Sequence, residues 1–275
     1  MLITIFTLVG CGGSSSIKIN NYISSKNFIK VSYIDVNQGD SILVQVNHKN
    51  LLIDSGPIES VSKLMHYLRK QNIDKLDYVV ATHPHEDHIG GMSAVIKKYP
   101  IRKFYAPKKI TQTKTFENMV NSLKSKNLKI DVARPGINLD LGKSVRCEIL
   151  APISNNYENL NNYSAVIKIT YGNSKFLFMG DAEKLSENEL LENGYDLSCD
   201  ILKIGHHGSS SSSSKTFLDA TNPKIAIISC GKNNDYGHPH HQTLNELKKR
   251  KIQIYRTDVD GSVVFLSDGN NIVKE

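Results

Sequence analysis

A chain of 275 residues, 39% hydrophobic and 22% charged, has the balance of an ordinary globular protein and can bury the core of one large domain. Its four cysteines, Cys11, Cys147, Cys199 and Cys230, form no C-x-x-C pair. That spacing suggests neither a disulfide framework nor a cysteine-type zinc site, and the last three read as small buried apolar side chains. The excess of 34 Lys and Arg over 27 Asp and Glu, a net charge of +7, favours polyanionic partners such as nucleic acid, teichoic acid or anionic lipid and does not constrain the fold.

The first segment, "MLITIFTLVGCGGSSS", runs apolar to a small residue and Cys11, then turns Gly/Ser-rich. This is the pattern of a bacterial lipoprotein signal. Residues 1–28 are therefore expected to be signal and polar linker, with Cys11 lipidated and the protein extracytoplasmic, anchored to the membrane; the alternative is an ordinary apolar N-terminus on a secreted or cytoplasmic protein. The apolar run is far shorter than the roughly 20 residues a membrane span needs.

From residue 29 short apolar strands alternate with amphipathic helices. Strands at 29–34 and 42–47 flank the turn "DVNQGD", and "NLLIDSG" is a third, ending in a carboxylate and a glycine. "ESVSKLMHYLRK" carries Val61, Leu64, Met65 and Leu68 at helical spacing. The strand "LDYVVA" then runs into "THPHEDHIGG", and "GMSAVIKKYP" reads as a short helix closed by Pro100. A strand at 102–105, a helix at 115–125 and a strand at 145–150 complete the first half. In the second half "SAVIKITYGNSKFLFMGD" is a hairpin turning at Gly172-Asn173, "AEKLSENELLEN" a helix and "CDILKIG" a strand. The serine run "GSSSSSSKTF" is a loop, followed by the strand "NPKIAIIS", the helix "HQTLNELKKRK" and strands "IQIYR" and "GSVVFL". Hairpins interleaved with outer helices, twice over, predict one α/β domain over 29–275, with two sheets face to face and helices outside both.

The histidine-rich segment carries the chemistry. On a helix, residues two apart lie about 200° apart, so His83 and His85 would diverge; in an extended segment they share a face. Pro84 forbids a helix interior and holds His83 extended. After a turn, Asp87 and His88 can face the other side of the same cavity, an arrangement that suits two metals side by side. Further ligands are expected at later strand ends. Asp181 follows the apolar strand "KFLFMG", where its two oxygens could bridge both ions, and His206 and His207 follow "DILKIG". Asp181 could also serve as a helix N-cap.

These segments, in order with "IDVNQGDSILVQ", "NLLIDSG" and "NDYGHPH", resemble the metallo-β-lactamase superfamily, specifically the branch similar to the extracellular metallohydrolase domain of the competence protein ComEC. The resemblance covers nearly all of residues 29–267 and implies an αββα four-layer sandwich with the metals at one edge between the sheets. It implies that His83 and His85 hold the first metal and Asp87 and His88 the second. Asp181 would bridge, and one of His206 and His207 would complete the second site while the other faces the substrate. Asp54 matches the family's first-motif aspartate, expected to orient a ligand histidine. Many members of the superfamily place a third histidine on the first metal, but none lies between His88 and His206 here. "NNYSAVIKI" stands in that region, where Asn161, Asn162 or Ser164 could support the site. Such oxygen ligands bind zinc weakly, so two divalent ions are expected, Zn²⁺ first and Mn²⁺ as the alternative.

Two ions roughly 3.5–4 Å apart activate a water and clamp both oxygens of an in-line displacement, which suits phosphate esters. No Ser or Cys nucleophile is needed. Ser209 and its neighbours are expected to line the cleft and offer hydroxyls and N–H groups to a phosphate. His238 is expected to stabilise the transition state or protonate the leaving oxygen, with Asp87 as the other catalytic group; His240 would contact substrate or cap the following helix, and His241 would face solvent. The expected function is a metal-dependent phosphodiesterase or nuclease on DNA or another phosphodiester outside the cytoplasmic membrane, with no protein partner evident. The alternatives are a teichoic-acid or phosphocholine esterase using the same site, or a DNA-binding lipoprotein without activity.

Overall fold

A computed structural model describes residues 28–275; the signal and Cys11 expected above lie outside the described residues. Fifteen strands form two sheets among the described residues. Sheet I contains β1 (Ile29–Tyr33), β2 (Ile42–Val46), β3 (Lys49–Ile53), β4 (Leu76–Val80), β5 (Ile101–Ala106) and β6 (Ile130–Val132), together with β14 (Val263–Ser267) and β15 (Ile272–Lys274). Sheet II contains β7 (Ile137–Asn138), β8 (Val145–Ile149), β9 (Ile167–Tyr171), β10 (Ser174–Phe178), β11 (Ile201–Lys203), β12 (Ile225–Ile228) and β13 (Gln253–Arg256).

The halves share a plan. In sheet I β1, β2 and β3 are antiparallel, and β3 to β6 run parallel through helical crossovers. In sheet II β7 to β10 are antiparallel and β10 to β13 parallel. Helices cover the outer faces. On sheet I lie α1 (Val61–Lys70), α2 (Glu86–Ile89), α3 (Met92–Lys98) and α4 (Lys114–Ser125); on sheet II lie α5 (Lys184–Glu192), α6 (Lys215–Thr221) and α7 (His241–Lys249), and a short α8 (Thr257–Asp260) precedes β14.

Strand alternation explains three hydrophobic layers. Ile42, Val44 and Val46 of β2 and Phe176 and Phe178 of β10 point between the sheets, whereas Leu43 faces α1 and α3, and Leu177 faces α5 and α6. A strand buried on both faces reads as a continuous apolar run, which is why β4, β10 and β12 stand out in the sequence. Full burial of side chains such as Phe176 and Phe178 contributes roughly 1.5–3 kcal/mol each. The result is the αββα sandwich. Several elements were not anticipated: β6, β7 and β15 are too short or too polar to show periodicity, and α6 follows directly on the serine run, capped by Ser214, whose Oγ accepts from Phe217 N at 3.3 Å.

At the end where β10 begins, two turns join the sheets. Asn173 N donates to Gly269 O at 2.6 Å, Ser174 Oγ meets Ser267 Oγ at 2.6 Å, and a Cβ on Gly172 would lie 2.6 Å from Gly269 O. That approach requires glycine in the hairpin turn. At the opposite end, where β3, β4, β10, β11 and β12 finish, Ala165 N donates to Thr82 O at 2.9 Å. Ligand sites of open parallel sheets lie outside such carboxyl ends.

Candidate metal centre

The segment after β4 stays extended as far as His85, which has φ −75° and ψ 150°, and then turns into α2. His83 Nε2 and His85 Nδ1 lie 2.9 Å apart, and His83 Nε2 lies 3.7 Å from Asp181 Oδ2. The turn of α2 carries Asp87 and His88 to the neighbouring cluster. There His88 Nε2 lies 3.3 Å from His207 Nε2, 3.2 Å from Asp181 Oδ1 and 3.8 Å from Asp87 Oδ2. His207 Nε2 lies 3.1 Å from Asp87 Oδ2 and 3.4 Å from Asp181 Oδ1. Asp181 thus presents one oxygen to each cluster. Its backbone is held by Ser164 Oγ, which accepts from Asp181 N at 2.9 Å.

The residues fit divalent cations. Ligands at the 2.0–2.1 Å of zinc bonds, set tetrahedrally, stand about 3.3–3.4 Å apart, and the separations in the Asp87, His88, Asp181 and His207 cluster bracket that value. The tautomers agree. His88 Nδ1 donates to Asp54 Oδ2 at 2.7 Å and His207 Nδ1 to Ser229 O at 2.9 Å, so both neutral rings turn an Nε2 lone pair inward, towards carboxylate oxygens. Asp181 Oδ1 is buried without a hydrogen bond. With both rings neutral the cluster sets acceptors against acceptors, and it needs a cation: a metal, or in its absence the ring protons themselves.

Asp54 also accepts from Thr82 N at 2.7 Å and Thr82 Oγ1 at 2.6 Å, so one wholly buried carboxylate fixes both the strand end and the His88 ring. Replacing Asp54 with asparagine is expected to weaken metal binding by about 10–100-fold, as loss of such a supporting carboxylate does. Competition with a chromophoric chelator measures this, and an unchanged affinity would show that His88 is oriented without it.

In the metal-free protein burial disfavours the His88 and His207 cations, but Asp181, helped by Asp87, raises both well above the ordinary imidazole range. Burial alone would raise Asp181, yet His207 and His88 hold it well below the usual carboxylate range. Metal ligands must shed their protons. Binding at neutral pH is therefore expected to release protons and to tighten with rising pH, about a decade per unit for each proton displaced. Calorimetry in buffers of different ionisation enthalpy counts those protons, and a count of zero would contradict the assignment. By the same sign, the stabilisation these two raised histidines give the metal-free fold is present at low pH and lost as pH rises through their folded values.

The two histidines after β11 part company. Both occupy the left-handed region, His206 at φ 46° and ψ 51° and His207 at φ 52° and ψ 22°, a strained pair for non-glycine residues. The turn sends His207 into the cluster. His206 is left partly exposed, with Nδ1 3.3 Å from Glu183 Oε1 and 3.1 Å from Ser211 Oγ, and Nε2 3.8 Å from Asp181 Oδ2. Asn161 Nδ2 lies 3.4 Å from His206 Nδ1, Asn162 Oδ1 accepts from Glu183 N at 3.2 Å, and Ser164 Oγ lies 3.4 Å from His83 Nδ1. These three brace the site rather than enter either cluster.

Two expected contacts are corrected. Ser209 does not line the cleft, because its Oγ is engaged within the loop, 3.0 Å from Ser211 Oγ and accepting from Ser211 N. His240 precedes α7 but makes no capping bond; its Nδ1 accepts from Ser210 N at 2.9 Å and its Nε2 donates to Tyr236 O at 3.2 Å, tying two loops together. His238 does line the cleft, 5.3 Å from His206 and 6.0 Å from His207 between ring centroids. Burial, then His207 and His206, lower its pKa to about 4, so it is neutral at physiological pH. His241 is exposed.

The sequence reading missed a wholly buried pair. Lys203 Nζ lies 2.8 Å from Asp40 Oδ2 and donates to Ile204 O at 2.9 Å, and Asp40 Oδ1 stands 3.4 Å from His207 Nδ1. A Cβ on Gly39 would meet Asp87 O at 2.2 Å, so glycine is required where the Asp40 loop crosses the metal loop. A lysine inside the apolar strand "DILKIG" was the available signal. His85, Asp87, Asp181, His206, His207 and His238 surround a cleft of about 300 Å³ that also touches Gln38, Glu86 and Tyr236.

Two sheets that bring histidines and carboxylates together at their carboxyl ends define a metallo-hydrolase. The family comparison agrees: the metallo-beta-lactamase superfamily matches residues 34–232, and the chain belongs to it. It is 31% identical to "ComE operon protein 3" of Bacillus subtilis over 254 residues, 86% of this chain and 33% of that protein. It is 29% identical to "Competence protein ComA" of Neisseria gonorrhoeae, over 87% of this chain and 32% of that one. The chain thus spans about a third of the length of these curated relatives. Among solved structures, the metallo-beta-lactamase fold protein YhfI of Bacillus subtilis superposes with a TM-score of 0.59 at 15% identity, covering 88% of this chain and 100% of that one.

Proposed function

We propose that this chain is a metal-dependent phosphodiesterase acting on DNA, or on another phosphodiester polymer, outside the cytoplasmic membrane. One observation carries the reading: Asp181 divides its oxygens between two adjacent clusters, Oδ1 towards His88 and His207 and Oδ2 towards His83. Two ions so placed would supply Lewis acidity to both oxygens of a phosphoryl displacement and an activated water. The chain's own residues do the rest. Asp54, Thr82 and Ser229 fix the imidazole tautomers, Asp87 closes its cluster from the solvent side, and neutral His238 offers an N–H to an oxygen of the substrate without adding charge. The names of the competence relatives favour DNA, and the net charge of +7 favours a polyanion. A lipid anchor on Cys11 belongs to the same proposal, with Zn²⁺ as the first ion and Mn²⁺ as the second choice. Among the described residues no helix is long and apolar enough to cross a membrane.

The test is hydrolysis of bis-p-nitrophenyl phosphate and of labelled single- and double-stranded DNA, after chelation and after return of Zn²⁺ or Mn²⁺. Metal-dependent cleavage of the ester and of DNA is expected. Cleavage of the ester alone would move the substrate to a wall polymer or a choline phosphate, and cleavage of neither would sink the enzyme reading.

A further inference from the structure

Tyr236 stands at the mouth of the cleft with 66% of its surface in water. Its ring lies nearly parallel to that of His238, at 18° and 5.6 Å between centroids. One face is therefore occupied, and the opposite face is open at the mouth. The loop that presents it is braced. Asn234 Nδ2 donates to Gly231 O at 2.9 Å and to His238 O at 2.6 Å, Asn234 Oδ1 accepts from His238 N at 2.9 Å, and His240 Nε2 holds Tyr236 O. A ring carried on a braced backbone and leaning on His238 loses less entropy when a flat ligand settles on it than one on a free loop. Two neighbouring polar atoms lack partners. Gln38 accepts from Gly231 N at 3.0 Å through Oε1, but its Nε2 is buried without a bond, as is His238 Nδ1.

We propose that Tyr236 is a stacking platform for a nucleobase, so that the cleft takes single-stranded nucleic acid with one base on Tyr236 and the adjoining phosphodiester facing Asp181. This rests on the phosphodiesterase reading above and narrows its substrate. The ring is one imidazole removed from the cluster that holds His207, through His238, so a base on it and the phosphate beside it would lie along the same cleft. Base stacking on aromatic side chains is sequence-tolerant and needs unpaired bases. A quaternary ammonium group would instead call for an aromatic cage, and Tyr236 is the only Phe or Tyr among the cleft-lining residues described.

The experiment measures, by fluorescence anisotropy, binding of the metal-loaded protein to a non-hydrolysable phosphorothioate oligothymidylate and to an equally long abasic phosphorothioate. The wild type is expected to prefer the base-bearing strand by about tenfold, Tyr236→Ala to bind both at the abasic level, and Tyr236→Phe to keep the preference. Equal binding of both strands by the wild type, or wild-type affinity in Tyr236→Ala, overturns the platform. Displacement of the oligonucleotide by phosphocholine at lower concentration than by thymidine monophosphate overturns it in favour of a choline site. Cleavage assays on the same proteins separate the two readings. DNA cleavage without base preference sinks the platform alone, whereas base-dependent binding without cleavage of any phosphodiester supports the platform and sinks the enzyme.

Discussion

Alanine at position 87 is expected to lower metal-dependent phosphodiester hydrolysis by on the order of 10³-fold or more while the protein still folds. Asp87 Oδ2 is the member of its cluster that reaches in from the exposed side, 3.1 Å from His207 Nε2, and the side chain is 27% accessible. Its loss opens no cavity in the apolar layers. On the function proposed above, what goes is an anionic ligand, and with it several kcal/mol of transition-state charge stabilisation, at about 1.36 kcal/mol per decade of rate. Far-ultraviolet circular dichroism and a cooperative unfolding transition should be retained, while metal bound per chain falls. Near-normal turnover by Asp87→Ala would remove Asp87 from the machinery.

Lys203→Met should behave in the opposite way, acting first on stability. It leaves Asp40, fully buried, without the ammonium 2.8 Å away. Breaking a buried pair by removing one partner costs roughly 3–5 kcal/mol, and at about 2–4 °C per kcal/mol for a chain approaching this size the midpoint should fall by roughly 10 °C. The double variant Asp40→Asn with Lys203→Met should recover much of that loss, since the stranded charge is gone. A single variant as stable as wild type would show that the pair does not hold the fold. Asp40 also sets a pH window. Burial would raise it, but Lys203 and then His207 bring it below the ordinary carboxylate value. Its contribution is therefore present above the unfolded carboxylate range and lost as acid carries the pH through the lower folded value.

Much of this could be read from the chain because the signals were local. The apolar runs of β4, β10, β11 and β12 and the residues that follow them are contiguous in sequence, so the strand ends and their ligands appear together. Tertiary geometry was less accessible. Whether His206 or His207 enters the cluster depends on two successive left-handed residues, and Asp54, at φ 58°, is likewise turned by a backbone conformation that side-chain patterns do not encode. Asp40 sits 163 positions from Lys203, and no periodicity links them. The serine run is the loop it reads as, but its anchoring could not be seen. Its composition suggests a solvated loop, but Glu187, buried in α5, accepts from Ser213 N at 2.5 Å and Ser214 N at 2.9 Å, and long-range anchors of that kind leave no trace in composition.

The joining of the two sheets has a mechanical consequence. At the Gly172 and Gly269 end the layers are stitched by chain-to-chain contacts independent of any ligand, like the spine of a book. At the other end, where Thr82 O accepts from Ala165 N and Lys203 pairs with Asp40, His83, His85, Asp87 and His88 come from one cover and Asp181 and His207 from the other, so a cation in either cluster would be a further rivet through both. Stripping it should let the pages fan from the open edge, with amide exchange quickening at the ends of β4, β10 and β11 while the spine stays protected.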